Sequence, residues 1–440
     1  MAGLRVSLLL VFVLAAVAAF GESQARIVRL GDTQGDVRID RNTGQGFEKA
    51  FLNLPITQGM KIQTGNDGRA TLELEDSSTL RLTPGSVLEI SKLSLADSGA
   101  KVSGFHLQEG GAYVNLVNAK DNRLSVSFAR ETISFDRPAN VRIEMGDTNV
   151  SVAVFKGDVQ IAAPDGSVQV SKGKAADYNL VNDHHEIASQ IEDQPLDAWD
   201  KQQNQYQQEY SSKSYSNYSP YAYGTSDLNY YGNFLTVPGY GSVWQPFFAG
   251  AGWDPFMNGA WAFYPGSGYG WVSTYPWGWT PYHYGSWNYL PPYGWFWQPG
   301  GNWVGTNATP VVPHAPLHFN GPQAPASPGM RMQAVNHGPQ TQLVGKSLNH
   351  LQIPSNSAGM GIPRGEVMNL RDLSHTAERK GAVTTGLHTP STGFGGWWNG
   401  GNSGYYGHGQ NGSFGPSHVG TAAPAASAGH AGASHGGAHR

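Results

Sequence analysis

The chain has 440 residues, 28 Lys+Arg against 32 Asp+Glu, a formal net charge of −4 and no cysteine. The cationic footprint of a nucleic-acid binder is therefore missing, and disulfides, thiolate metal sites, a cysteine nucleophile and lipid attachment at cysteine are excluded. Only 14% of the residues are charged while Gly 58 and Pro 27 are abundant, so two or three domains fit the length but much of the chain is not ordinary globular core.

At the N-terminus Arg5 precedes an apolar run over residues 6–20, and Ser23-Gln24-Ala25 offers a small-residue cleavage point. This predicts a signal peptide over residues 1–25, because the run is shorter than the roughly 20 apolar residues that span a bilayer; an uncleaved anchor is the alternative. No other stretch is apolar enough to cross a membrane. The mature chain is expected to be exported, periplasmic or at the cell surface or secreted, without a membrane span.

Residues 26–182 read as an all-β domain. A first hairpin over 27–40 turns at Gly35-Asp36, and a polar loop covers 41–49. Between 54 and 93 a turn at Gly65-Asn66-Asp67-Gly68 introduces alternation through Ala70, Leu72 and Leu74. A second turn at Glu75-Asp76-Ser77-Ser78 leads to Leu80 and Leu82, and after Pro84-Gly85 the pattern returns at Val87, Leu88 and Ile90. Further short strand patterns, divided by Gly-Asp and Asp-Gly turns, continue to Val170. By pattern alone they suit a sandwich as well as a solenoid.

Residues 195–228 form a linker whose Gln-rich first part predicts a helix, with Trp199, Tyr206 and Tyr210 on one face as a docking stripe. From 229 to 303 the chain is a Trp, Tyr, Gly and Pro tract with an internal repeat of about 27 residues. Gly232-Asn233-Phe234, Gly259-Ala260-Trp261 and Gly285-Ser286-Trp287 precede Tyr240-Gly241, Tyr269-Gly270 and Tyr293-Gly294, each followed closely by Trp244, Trp271 or Trp295. One repeat predicts one β-hairpin, and the Trp-x-Pro motifs mark strand ends. Residues 304–440 lose alternation and predict a mostly disordered Pro/Gly/His-rich tail, with one short helix over 365–380.

The order T64-G-N-D-G-R-A-T-L-E-L-E-D-S-S-T-L-R-L-T-P-G-S86, continued by FHLQEGGAYVNL from Phe105 and VSVAVFKGDVQI from Val150, resembles the exported FecR-like domain. That resemblance covers roughly residues 27–180 and tips the fold towards a short β-solenoid. It implies kinship with periplasmic sensors for outer-membrane transporters and sigma factors, and it brings no catalytic residues. The aromatic tract, with its Asp227-Leu228-x-x-Tyr231-Gly232 lead-in, resembles an uncharacterised Trp/Tyr-rich domain that often accompanies FecR-like domains.

Motifs for chemistry are few. His184-His185-Glu186 is compact, but neighbouring residues of a strand face opposite ways and cannot share one metal. Gly266-x-Gly268-x-Gly270 lacks the strand-then-helix setting of a dinucleotide site, and G-x-S-x-G, H-E-x-x-H and P-loop patterns are missing. No catalytic residue, metal or cofactor is expected. Stacking on sugar or peptide is the chemistry that aromatic rings on a sheet offer, so Trp244, Trp271 and Trp295, with Tyr240, Tyr269 and Tyr293, are the candidate ligand-binding residues. A ladder of these tryptophans on one face is the expectation; an aromatic core is the competing reading. The leading function is an exported, non-enzymatic envelope binding or scaffold protein for a glycan or protein ligand. The alternatives are a FecR-type periplasmic regulator and a cell-wall glycan hydrolase with paired carboxylates.

Overall fold

Two nine-stranded sheets face each other across one apolar core. The structure, a computed structural model of the chain, describes residues 26–211, 222–247, 253–301 without 266 and 292, 311–326, 329 and 331–336, with the backbone of two short strands, Leu351–Pro354 and Ala382–Thr385. The signal peptide expected over 1–25, the helix expected over 365–380 and the remainder of the tail apart from these segments lie outside the described residues.

In spatial order the first sheet runs His184–Ala188, Ala175–Asn179, Asn149–Lys156, Ala139–Met145, Gly111–Leu116, Thr79–Leu82, Arg69–Glu73, Val28–Gln34 and Pro55–Ile56. The second runs Gly166–Ser171, Asp158–Ala163, Glu131–Phe135, Asn122–Phe128, Lys101–Glu109, Val87–Leu95, Lys61–Thr64, Val37–Asp40 and Glu48–Lys49. Past the first strands, the chain lays a hairpin or single strand in one sheet, crosses over, lays the next in the other, and so advances along one axis. That progress is solenoid-like. Neighbouring strands nevertheless pair antiparallel except Asn122–Phe128 against Lys101–Glu109, so of the two architectures left open by the pattern the sandwich is the one formed.

Alternation chose the inward faces. Leu72, Leu82, Val114, Val141 and Val152 of the first sheet meet Ile39, Ile62, Leu88, Val126, Ile133 and Ile161 of the second, all fully buried. Much of the outer face of the first sheet, at Arg29, Thr71, Glu73, Thr79, Arg81, Tyr113 and Arg142, is buried too. Helix α1 (Asp197–Tyr210) crosses it, with Asp197 and Asp200 in its first turn placed to complement the helix dipole. Its expected stripe does dock: Trp199 packs against Tyr113 and under Arg69, while Tyr206 and Tyr210 pack against Tyr230 of α2 (Thr225–Tyr231).

The tract from 229 onward folds as three hairpins. The first, Gly232–Val237 with Gly241–Pro246, and the third, Ser286–Leu290 with Gly294–Gln298, share one sheet; the second, Asn258–Tyr264 with Gly268–Ser273, stands in another. Part of the segment expected to be a disordered tail is built into these sheets. Val311–His314 pairs with Ser286–Leu290, and Gln333–Asn336 pairs with Asn258–Tyr264. These short strands lack periodicity because the backbone partner, more than their own side chains, holds them.

The second hairpin also closes one end of the sandwich. Its Ala260, Ala262, Tyr264 and Val272 belong to the sandwich core, and Tyr264 donates to the carbonyl of Pro55 on the edge strand at 3.0 Å. Sandwich and hairpins fall in one compact unit. Leu72→Asp or Leu82→Asp buries a charge in the shared core and is expected to cost several kcal/mol, read as a lowered midpoint in chemical denaturation; a wild-type midpoint would place these residues on the wrong face.

Candidate functional site

Each hairpin tip is built alike. Backbone N–H groups of Tyr240, Ser267 and Tyr293 donate to the carbonyls of Val237, Tyr264 and Leu290, with a proline next in line, and Gly241, Gly268 and Gly294 follow at φ of 77°, 89° and 71°. A left-handed residue at that place is what a three-residue hairpin loop asks for. The tips set the register, pairing Phe234 with Trp244, Trp261 with Trp271 and Trp287 with Trp297.

A second glycine in each repeat receives the indole. A Cβ added to Gly232 would lie 2.3 Å from the ring of Trp244, one on Gly259 2.3 Å from Trp271, and one on Gly285 2.8 Å from Trp297 Nε1. The equivalent tryptophans are therefore Trp244, Trp271 and Trp297. Trp295 sits two residues earlier, because the Tyr-Gly pairs used to align the repeats in the sequence are not equivalent: Tyr269 follows the left-handed glycine of its tip, whereas Tyr240 and Tyr293 precede theirs.

Nor do these tryptophans form an exposed ladder. Trp244, Trp271 and Trp295 are 0%, 2% and 4% exposed. They belong to a core whose buried members are Tyr, Trp and Phe apart from Leu228 and Met257, centred on Trp277. Trp277 stacks on Tyr275 at 4.8 Å and meets Trp244 at 5.0 Å and Trp287 at 5.8 Å. A segment poor in aliphatic residues has only these rings to bury, and their area takes them inside. The tyrosines remain half-buried: Tyr240 and Tyr293 pack beside Phe296 on the other face of the sheet, and Tyr269 packs against Trp261 and Phe263.

Charged groups gather where the hairpins and helices meet the sandwich. Arg29, fully buried on the first strand, donates to Asn53 Oδ1 at 2.9 Å, Glu73 Oε2 at 2.8 Å, Asp227 Oδ2 at 2.5 Å and the carbonyl of Pro276 at 2.8 Å. Asp227 accepts also from Tyr206 at 2.8 Å. Arg81 pairs with Asp200 and Arg142 with Asp197, both at 2.6 Å. Nearby, His283 Nδ1 donates to the carbonyl of Trp279 at 2.8 Å, and burial, with Arg29 adding repulsion, lowers its pKa to about 4. Burial likewise raises the phenols of Tyr264, Tyr275 and Tyr282 above their ordinary range.

His184 and His185 lie on the edge strand, where His185 pairs with Asp165. Among the described residues no group of three or more His, Asp and Glu could hold a metal ion, and no helix is long and apolar enough to cross a membrane.

Residues 60–160 match the family described as FecR protein, and residues 225–313 match the family of unknown function DUF6600. The chain carries a FecR domain followed by a DUF6600 domain. The sandwich extends beyond the FecR match on both sides, and the DUF6600 match opens at α2, which holds Asp227. Two crystal structures of a "putative anti-sigma factor" from Parabacteroides distasonis, at 1.65 and 2.50 Å, are similar at 17% and 16% identity, each with a TM-score of 0.28. In both comparisons 32% of this chain is covered, and the chain spans 63% of that protein's length. No curated protein matches the chain.

Three outcomes follow for stability. Asp227→Ala removes one of the two carboxylates on the buried Arg29, leaving Glu73, and the acceptor of the Tyr206 hydroxyl, and is expected to cost about 3 kcal/mol, whereas Asp36→Ala, which breaks an exposed pair with Arg38, should cost under about 1 kcal/mol; equal losses in urea titration would remove the junction from its central role. Trp271→Ala should cost about 3 to 5 kcal/mol as a core truncation, read by thermal melt. For His283 the folded pKa is depressed, so the unfolded chain takes the proton first as pH falls. Its contribution is complete above the unfolded value of about 6.5 and is lost down to about 4, in all about 3 kcal/mol. His283→Gln should lack that part of the pH slope when both proteins are titrated with denaturant.

Proposed function

We propose that the chain is a non-enzymatic FecR-type regulatory protein of the exported compartment, working by contact with a protein partner rather than through an aromatic sugar-binding face. The family match over residues 60–160 carries this reading. Burial of Trp244, Trp271 and Trp295 supports it by removing the surface on which a scaffold for stacked ligands would depend. The carboxylates that the fold draws together, Glu73, Asp197, Asp200 and Asp227, each bind a buried or nearly buried arginine. Carboxylates held as fixed counter-ions are poor candidates for the proton transfers of a hydrolase, which speaks against the cell-wall hydrolase.

Export is part of the proposal, and it predicts a product beginning at Arg26. Arg26 then becomes the first residue of the mature chain, held by two bonds to Glu75 and one to Ser103. N-terminal sequencing of the native protein checks this; recovery of residues 1–25 on the mature protein would refute the cleavage. Regulation is tested by deleting the chain and profiling transcripts. A discrete set should change and be restored by wild type but not by a chain lacking residues 60–160, and an unaltered transcript profile would overturn the regulatory role.

A further inference from the structure

Beside α1 the outer face of the first sheet opens into a groove of about 660 Å³. Its floor carries a cross-strand row in which Lys156 lies opposite Asn140 and Asn140 opposite Asn115. Neighbouring strands stand about 4.8 Å apart; Asn140 is buried and bound to Asp200, so the row offers Asn115 and Lys156 about two strand spacings apart, close to the length of two pyranose residues. Lys201, Gln205 and Gln208 line the facing wall at helical spacing. Phe155 and the half-exposed Val117 add apolar surface of the kind that packs on the C–H face of a sugar ring.

The two sides of α1 differ in how their polar groups are used. On the docked side Asp197 accepts from Tyr113 and Arg142, and Asp200 accepts from Arg81, Asn140 and Asn204. On the groove side, among the described residues, the side chains of Asn115, Lys156, Lys201, Gln205 and Gln208 have no hydrogen-bond or ion-pair partner. The carboxylates of the lining are thus neutralised from behind while two lysines and several amides face the opening.

We propose that this groove binds a carboxylate-bearing oligosaccharide. Side-chain amides both donate and accept, as sugar hydroxyls do, and the uncompensated lysines suit the acid groups. An extended peptide fits less well, since it takes its main-chain bonds from a sheet edge and this floor is a sheet face.

Isothermal titration of the full mature chain with hexagalacturonate, cellohexaose and a hexaglutamate peptide tests the assignment. Hexagalacturonate should bind at least about tenfold more tightly than cellohexaose. Lys156→Met with Lys201→Met should abolish that preference, and Asn115→Ala with Gln205→Ala should weaken both sugars by about tenfold or more. These side chains line the surface, so thermal melts of the variants should match wild type; Gln208→Trp, which fills the groove, gives an independent block. No binding of either sugar at ~1 mM, groove variants that bind like wild type, or hexaglutamate binding as tightly as hexagalacturonate would overturn it.

Discussion

The buried pair between Arg29 and Asp227 is the constraint on which the rest of the molecule turns. A guanidinium removed from water is tolerated only when its donors are met and its charge is balanced. Arg29 meets that condition with groups drawn from four separate stretches: Asn53, Glu73, Asp227 and the carbonyl of Pro276. The FecR sandwich and the DUF6600 hairpins are consequently not two beads on a linker. Arg81 and Arg142 repeat the arrangement further along the same face with the first turn of α1. Each of these three arginines binds an acid supplied later in the chain.

The DUF6600 hairpins answer a different problem, how to make a core from rings. Indoles are wide and stiff, and a strand pair gives them room only where the opposite strand carries no side chain. Gly232, Gly259 and Gly285 supply that room, once per repeat. The second hairpin then serves two cores at once. Trp261 and Trp271 face the aromatic cluster, while Ala260, Ala262 and Val272 seal the end of the sandwich. Period-two alternation along one strand is what allows both.

With the aromatic rings committed inward and the outer face of the sandwich covered by α1, uncommitted polar chemistry is left along the free side of that helix. Asn115, Lys156, Lys201, Gln205 and Gln208 owe their freedom to the same docking that uses up Asp197 and Asp200 on the other side. Site and junction are two faces of one helix.

Strand alternation at Leu72, Leu82 and Leu88, turn chemistry at Asn66-Asp67-Gly68 and the spacing of the aromatic repeats determined by themselves that the chain is all-β, where its strands lie and which residues point inward. Those signals act over a few residues, so a sequence carries them openly. The same alternation placed Thr71, Glu73, Thr79 and Arg81 on the polar face, and nothing local to them says that this face is buried. Their cover comes from α1, α2 and the hairpins, more than a hundred residues away. The tryptophans show the same limit: a Trp-rich sheet reads alike whether its rings face solvent or a partner layer, and the register slip between Trp295 and Trp297 came from aligning on Tyr-Gly pairs when the indole-receiving glycines are the equivalent positions. Only the tertiary structure decided burial, because burial belongs to pairs of surfaces and one strand holds half of each.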